Sequence, residues 1–288
     1  MRSPRQQISH FLKTGHSDVL PQGWPGENWL VQAQTADKAM RQALIEEVQR
    51  RSQGLPTPEV PITNHDAFTR SKVSPMVSGL FAENERRKVL EMLEKSVVFL
   101  TADNILEVLQ RCSLSTSWTI ANLYLGSIGG ELLGKKASLI VGFSEETTCY
   151  VSHEYFRQTN RFADFVVHEA AHVFHNCKRF TVGLPETRTK EFLLNIEFCQ
   201  RETFAYACEV YSRILQLAET RRERLQLLKQ ALDEFIPPDH KVDLSKFHAA
   251  LGDACEARNG WNKILQVCAP PKRVKPRLEA VLANRTGG

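Results

Sequence analysis

The chain has 288 residues, 42% of them hydrophobic, enough to fill the core of one large domain or two small ones. Its formal charge of +4 is slight for that length and basic residues are interspersed with acidic ones, so no nucleic-acid partner is expected. No apolar run approaches the roughly 18 to 20 residues of a membrane span, the N-terminus lacks the apolar stretch of an export signal, and seven scattered cysteines without a CxxC pair predict reduced thiols and a cytoplasmic location.

Residues 1–35 are rich in Gly, Pro and polar side chains and read as an ordered loop, anchored by Trp24 and Trp29 of VLPQGWPGENWL. A helix is predicted from Thr35, which suits an N-cap, to Gly54, with Met40, Ala43, Leu44 and Val48 at helical spacing. After the proline-rich LPTPEVPITNHD, helices are expected at 66–81 and 83–95, the first kinked or split by Pro75. VVFLT at 97–101 reads as a strand leading into a helix that begins near Asp103, capped by Thr101 or Asp103. Another helix is expected in SLSTSWTIANLYLGSIGGELLG, weakened at Gly129 and Gly130. ASLIVGF (137–143) and CYVS (149–152), separated by SEETT, read as two strands of one small sheet.

From Phe162 onward the pattern is helical, over 162–176, 189–218, 219–235 and 244–268. The whole reads as an α+β fold, predominantly helical, with an N-terminal helical subregion over 1–135, a second region over 136–270 and a basic tail over 271–288. The tail is proline-broken and is read as solvated rather than as a binding arm.

The chemistry is concentrated in FVVHEAAHVFHNCKRF, residues 165–180. His168 and His172 are four residues apart, so on a helix both imidazoles stand on one face and can reach one cation. Zinc (Zn2+) prefers tetrahedral coordination, and two helical ligands leave room for a third side chain and a water. Glu169, beside the pair, is placed to hold that water and take its proton, because zinc lowers the pKa of water to about 7. Val166, Val167, Ala170, Ala171, Val173 and Phe174 keep the helix continuous and dry. The competing reading, a core helix whose histidines are satisfied by neighbouring carbonyls, would put three costly polar groups in the core, so the metal reading is preferred.

His175 lies about 10.5 Å of helical rise from His168, and no glycine breaks the helix before it, so it is expected at the rim or in a hydrogen bond rather than on the metal. The better third ligand is Glu202, thirty residues after His172 in CQRETFAYACEVYSRIL, where Ala205, Ala207 and Cys208 permit close approach of two helices. Glu209 is the competitor for that role, and is otherwise suited to bond a ligand histidine from behind.

VVHEAAHVF followed by RETFAYACEVY resembles the zinc metallopeptidases of the gluzincin type, over residues 165–211. The resemblance implies a zincin-like core in 136–270 with a small sheet beside the HExxH helix, zinc held by His168, His172 and Glu202, and Glu169 as general base. The NExxSD element of the large thermolysin-like enzymes is absent. The small residues after Glu202 resemble, more weakly, compact bacterial regulatory peptidases that cut a repressor.

Such a reaction needs a donor for the developing oxyanion, and Tyr206, one turn past Glu202, is preferred over Tyr211. A tyrosine half-buried in the helix seam is the alternative for Tyr206. Arg201 and Arg188 are candidates for a substrate carboxylate but read as surface charges. CYVSHEYF is the candidate edge strand for an extended peptide, with His153 and Tyr155 lining the cleft. The expected function is a zinc-dependent metallopeptidase, a hydrolase of peptide bonds in a limited set of intracellular protein targets. The alternatives are a non-catalytic regulatory or interaction protein with a structural zinc site, and a metal hydrolase of another amide or ester. Phosphate-loop, GxGxxG and GxSxG motifs are missing, and the helices over residues 36–134 carry no chemical signal.

Overall fold

The computed structural model describes residues 2–18, 20–57, 59–134, 141–188 and 190–271, in which the backbone forms eleven α-helices and a three-stranded sheet. The first helix, α1 (Pro4–Thr14), occupies a segment that composition assigns to a loop. Ser3 accepts from the Gln6 N–H while the Gln6 side chain returns to the Ser3 N–H, Pro4 opens the first turn, and Gly15 closes the last at φ 75°. These local bonds outweigh the Gly and Pro content of the surroundings. Trp24 is a buried anchor and donates to Gln7 Oε1 at 2.8 Å, whereas Trp29 is 60% exposed and begins α2 (Trp29–Ser52). Asn28 caps α2, so the helix starts a turn and more before Thr35, whose hydroxyl bonds back to Val31 O.

Helix α3 (His65–Leu80) runs unbroken through Pro75, because Val73, Met76 and Val77 on either side are packed into the core. α4 (Glu83–Leu93) and β1 (Val97–Phe99) follow as expected. α5 (Ile105–Arg111) has Asn104 at its N-cap position, and neither Thr101 nor Asp103 takes that place; the Asn104 side chain ties Thr101 N and Phe99 O together instead. α6 (Leu114–Ser127) ends before Gly129 and Gly130.

The strand expected at 137–143 falls mostly outside the described residues. β2 (Gly142–Glu145) extends into the polar SEETT, and β3 (Thr148–Val151) returns from it. β3 is the central strand, parallel to β1 and antiparallel to β2, with Gly142 opposite Val151 and Ser144 opposite Cys149.

α7 (Phe165–Asn176) matches the histidine segment. The helix expected from residue 189 begins only at Arg201, as α8 (Arg201–Leu217), after a single 3-10 turn at Phe198–Gln200. The preceding residues are used otherwise: Leu193 N and Leu194 N donate to Cys177 O and Phe174 O, which satisfies carbonyls at the end of α7. After α9 (Arg221–Glu234), the helix expected over 244–268 is two helices, α10 (Leu244–Glu256) and α11 (Gly260–Cys268). Asn259 caps α11, and Gly260 has no side chain because the Tyr211 hydroxyl occupies that space.

Two apolar clusters share the sheet. Val97, Phe99, Cys149 and Val151 join α3, α4, α7, α8, α10 and α11, whereas Val98, Tyr150 and Phe143 join α1, α2, α5 and α6. Strand alternation sends successive side chains to opposite faces, so each cluster takes one face. α3 and α4, although they precede residue 135, belong to the cluster of the histidine helix. All seven cysteines are free thiols. No described helix is long and apolar enough to cross a membrane. The basic tail lies outside the described residues from 272 onward.

Candidate metal centre

The position of α7 is set at its first residue. Asp164 is the N-cap, its Oδ1 accepting from Val167 N; Oδ2 takes the Lys72 ammonium of α3 at 2.7 Å, and the Tyr155 hydroxyl donates to Oδ1 at 3.2 Å. The Asp164 N–H in turn donates to Glu209 Oε1 of α8 at 2.7 Å. Further along α7, His172 meets Glu202 at the opening turn of α8, so the two helices run antiparallel, with Ala170, Ala171, Ala205 and Ala207 fully buried between elements.

That pairing brings three sequence-predicted residues together. His168 Nε2 and His172 Nε2 are 3.1 Å apart, and Glu202 Oε2 lies 3.5 Å from His172 Nε2 and 3.9 Å from His168 Nε2. The two histidines are buried and Glu202 is half-buried, and the group could hold a metal ion. Glu209 does not join it. Its fully buried carboxylate gives Oε2 to His168 Nδ1 at 3.1 Å while Oε1 is held by Asp164, so the competition between the two glutamates resolves into different jobs. With the Nδ1 proton engaged by Glu209, the Nε2 lone pair of His168 is left facing the other ligands.

His175 is buried yet lines the cleft around this group, and it takes the hydrogen-bonding role expected of it. Its Nε2 contacts His172 Nδ1 at 3.0 Å, and its Nδ1 contacts Asn176 Oδ1 at 3.0 Å. It therefore stands behind His172, away from the ligand atoms.

Charge in this region follows the partners. Burial works against a charged His168, but the hydrogen bond and charge of Glu209 outweigh it and raise its pKa. For Glu202, burial alone would raise the pKa; the hydrogen bond to His172 and the two imidazoles overcome this and lower it to about 2. Burial raises the Glu169 pKa, opposed by the two histidines and a hydrogen bond from Ser144. Burial and the neighbouring His172 lower His175 to about 3, which keeps it neutral.

The ligand atoms lie in a cleft of about 870 Å³ whose walls include β2, Phe165, Phe198, Tyr206 and the 238–241 segment. β2, not CYVSHEYF, is the edge beside the site: β3 is paired on both sides, while β2 pairs only with β3 among the described residues. Gly142 permits this approach, since a Cβ there would lie 2.8 Å from both Glu169 Cγ and Glu169 Oε1. His153 and Tyr155 do not line the cleft. They sit in a 3-10 turn (His153–Arg157) with their rings against Phe156, Tyr155 also meeting Phe68 and Phe99, because Tyr155 is drawn to Asp164.

Tyr206 lines the cleft with its ring centroid 4.3 Å from that of His168, and burial is the main reason its hydroxyl is harder to ionise than usual. Tyr211 packs edge-on against Trp261 in the core. Arg201 lines the cleft with its guanidinium over Phe198; Arg188 is exposed and is not part of the wall. The participants that sequence reasoning missed are Gly142, Ser144, Asp164 and Asn176. Only Asp164 carried a signal, as an N-cap type immediately before the apolar FVVH run. Comparison with family models, with curated proteins and with solved structures finds no match.

Proposed function

We propose that the chain is a zinc-dependent metallopeptidase with a zincin-like core, acting on a limited set of protein targets in the cytoplasm, where its seven free thiols stay reduced. The observation that carries the reading is the group of His168, His172 and Glu202 lining a cleft, with Glu169 and a strand edge that is unpaired among the described residues beside it. Four-coordinate zinc binds nitrogen and oxygen at about 2.0 to 2.1 Å, which sets ligand-to-ligand edges near 3.3 Å. The separations of 3.1, 3.5 and 3.9 Å bracket that edge. Three protein ligands facing a cleft also favour a catalytic site over a structural one, which is closed by four.

Zinc, when bound, supplies a Lewis acid for the scissile carbonyl and lowers the pKa of water. Glu169 takes the proton of the attacking water and returns it to the leaving amine. The edge of β2, unpaired among the described residues, accepts an extended peptide as an added strand, with the backbone at Gly142 close enough to set the scissile bond beside Glu169. Tyr206 donates to the developing oxyanion from the wall formed by α8.

Metal analysis and a Glu169→Gln variant test this reading. Purified protein should contain one zinc per chain and His168→Ala should lose it. Glu169→Gln should retain zinc and abolish the new protein termini that appear in cells expressing the active form. Equal cleavage by Glu169→Gln and the parent would sink the peptidase reading.

A further inference from the structure

Building on that metal reading, we propose that His175 and Asn176 are positioning residues: they determine which nitrogen of His172 carries the proton, and so keep its Nε2 open to the cation. The two histidine ligands are held in chemically different ways. His168 Nδ1 meets a carboxylate, which can only accept. His172 Nδ1 instead meets a second imidazole, His175 Nε2 at 3.0 Å, and either nitrogen of that pair is able to donate. The pair alone does not fix its own direction.

Asn176 fixes it. Its Oδ1 stands 3.0 Å from His175 Nδ1 and accepts the proton there. His175 Nε2 is then a bare lone pair, and it accepts the Nδ1 proton of His172. His172 thus keeps its Nδ1 proton, and Nε2 is the nitrogen that gives way to a bound cation, where it faces His168 Nε2 at 3.1 Å and Glu202 Oε2 at 3.5 Å. With the amide turned round, its NH2 would donate to His175, both imidazole bonds would reverse, and an N–H would point from His172 into the ligand group. The direction is thus encoded on α7 itself, by the spacing His172, His175, Asn176, which stacks one ring behind the other at i and i+3.

The test uses the purified full-length chain and zinc itself, with dissociation constants from chelator competition and the His172 tautomer from nitrogen-15 NMR of the zinc-loaded protein. His175→Leu removes the acceptor and should weaken zinc binding about 10- to 100-fold. His175→Gln, whose carboxamide oxygen can accept from His172, should recover most of that loss. Asn176→Asp, an acceptor only, should bind at least as tightly as the parent, and Asn176→Leu more weakly. Equal affinities for the Leu and Gln variants at 175 would overturn the proposal, because a packing role would not separate them in favour of the polar residue. Should His175→Leu fail to fold, the Asn176 pair decides, and equal affinity of the Asp and Leu forms overturns it. A parent chain that binds no zinc removes the metal reading itself, which is a different result from a parent that binds zinc with no discrimination among variants.

Discussion

Glu209→Gln removes a charge and almost no volume, yet it should be one of the most damaging substitutions in the chain. Both oxygens of Glu209 are committed, Oε1 to Asp164 N at 2.7 Å and Oε2 to His168 Nδ1 at 3.1 Å, and the side chain is fully buried. An amide has one acceptor oxygen and one NH2 group, so one of those two donors must face another donor. If the oxygen takes Asp164 N–H, the NH2 faces His168 Nδ1, which then accepts and leaves a proton on Nε2, where the proposed cation would bind. If it takes His168, the first turn of α7 keeps a buried N–H with no acceptor. A hydrogen bond to a charged group is worth about 1.5 to 3 kcal/mol and a stranded buried donor costs about 1 to 3 kcal/mol, so about 2.5 to 6 kcal/mol should be lost from the metal-free protein. That is a large share of the roughly 5 to 15 kcal/mol typical of a domain. Zinc affinity should fall about 10- to 100-fold. Urea unfolding of the metal-free chain and chelator competition at neutral pH measure the two. A variant within about 0.5 kcal/mol of the parent, the range of an ordinary surface change, with unaltered zinc affinity would refute the assignment of Glu209.

Three further expectations test other parts of the site. Gly142→Ala puts a methyl group 2.8 Å from Glu169 Cγ and Oε1; turnover should fall by about 100-fold as Glu169 or β2 is displaced, while zinc affinity holds. Unchanged kinetics there would show that β2 does not position the base. Tyr206→Phe should lower kcat by about 100- to 1000-fold with zinc content unaltered, and a normal kcat would leave Tyr206 as a packing partner of the His168 ring. The third concerns pH. Although burial opposes ionisation of Glu202, His172 and His168 lower its pKa to about 2 from the ordinary 4.5. A lowered carboxylate pKa stabilises the fold fully above 4.5 and progressively less as pH falls toward 2. The stability advantage of the metal-free parent over Glu202→Gln should shrink across that window in urea melts, and a pH-independent difference contradicts it.

The residues that converge here were legible in the sequence where one helix fixes their relation. His168, Glu169 and His172 follow from helical spacing alone, and Glu202 from the small residues around it that allow two helices to approach. Glu209 was legible in both of its possible roles, as competing ligand or as the group behind a ligand histidine, and the contact with His168 Nδ1 matches the second; only the register of α8 against α7, a tertiary quantity, decides between them. The edge strand was misassigned for a similar reason: β3 is the more apolar and reads as the better strand, but strand order in a sheet is set by pairing, and β2, with polar Ser144 and Glu145 in its four residues, turns Ser144 toward the cleft. Helix boundaries failed where capping competed with composition, at Ser3 for α1, Asn28 for α2 and Asn259 for α11.

The helices that carry no chemical signal still bear on the site, through the alternation of β2. Gly142 and Ser144 face Glu169, the one by close approach and the other by a hydrogen bond, so Phe143 and Glu145 must face the opposite way. Phe143 packs into the N-terminal cluster, and Glu145 Oε1 accepts from Thr116 of α6 at 2.6 Å. On the adjoining strand, the Tyr150 hydroxyl meets Cys112, just beyond α5, at 3.1 Å. The strand that borders the cleft is therefore held from behind by Thr116, by Cys112 through the adjoining strand and by the packing of Phe143, while His168, His172 and Glu202 are held from the other side by α7 and α8. The distance between Glu169 and the strand edge depends on both cores keeping their grip on one thin sheet. A change in the packing of α6 that touches no cleft residue would move the strand edge relative to Glu169, so the first 134 residues bear on the proposed site without supplying any of the side chains proposed to act there.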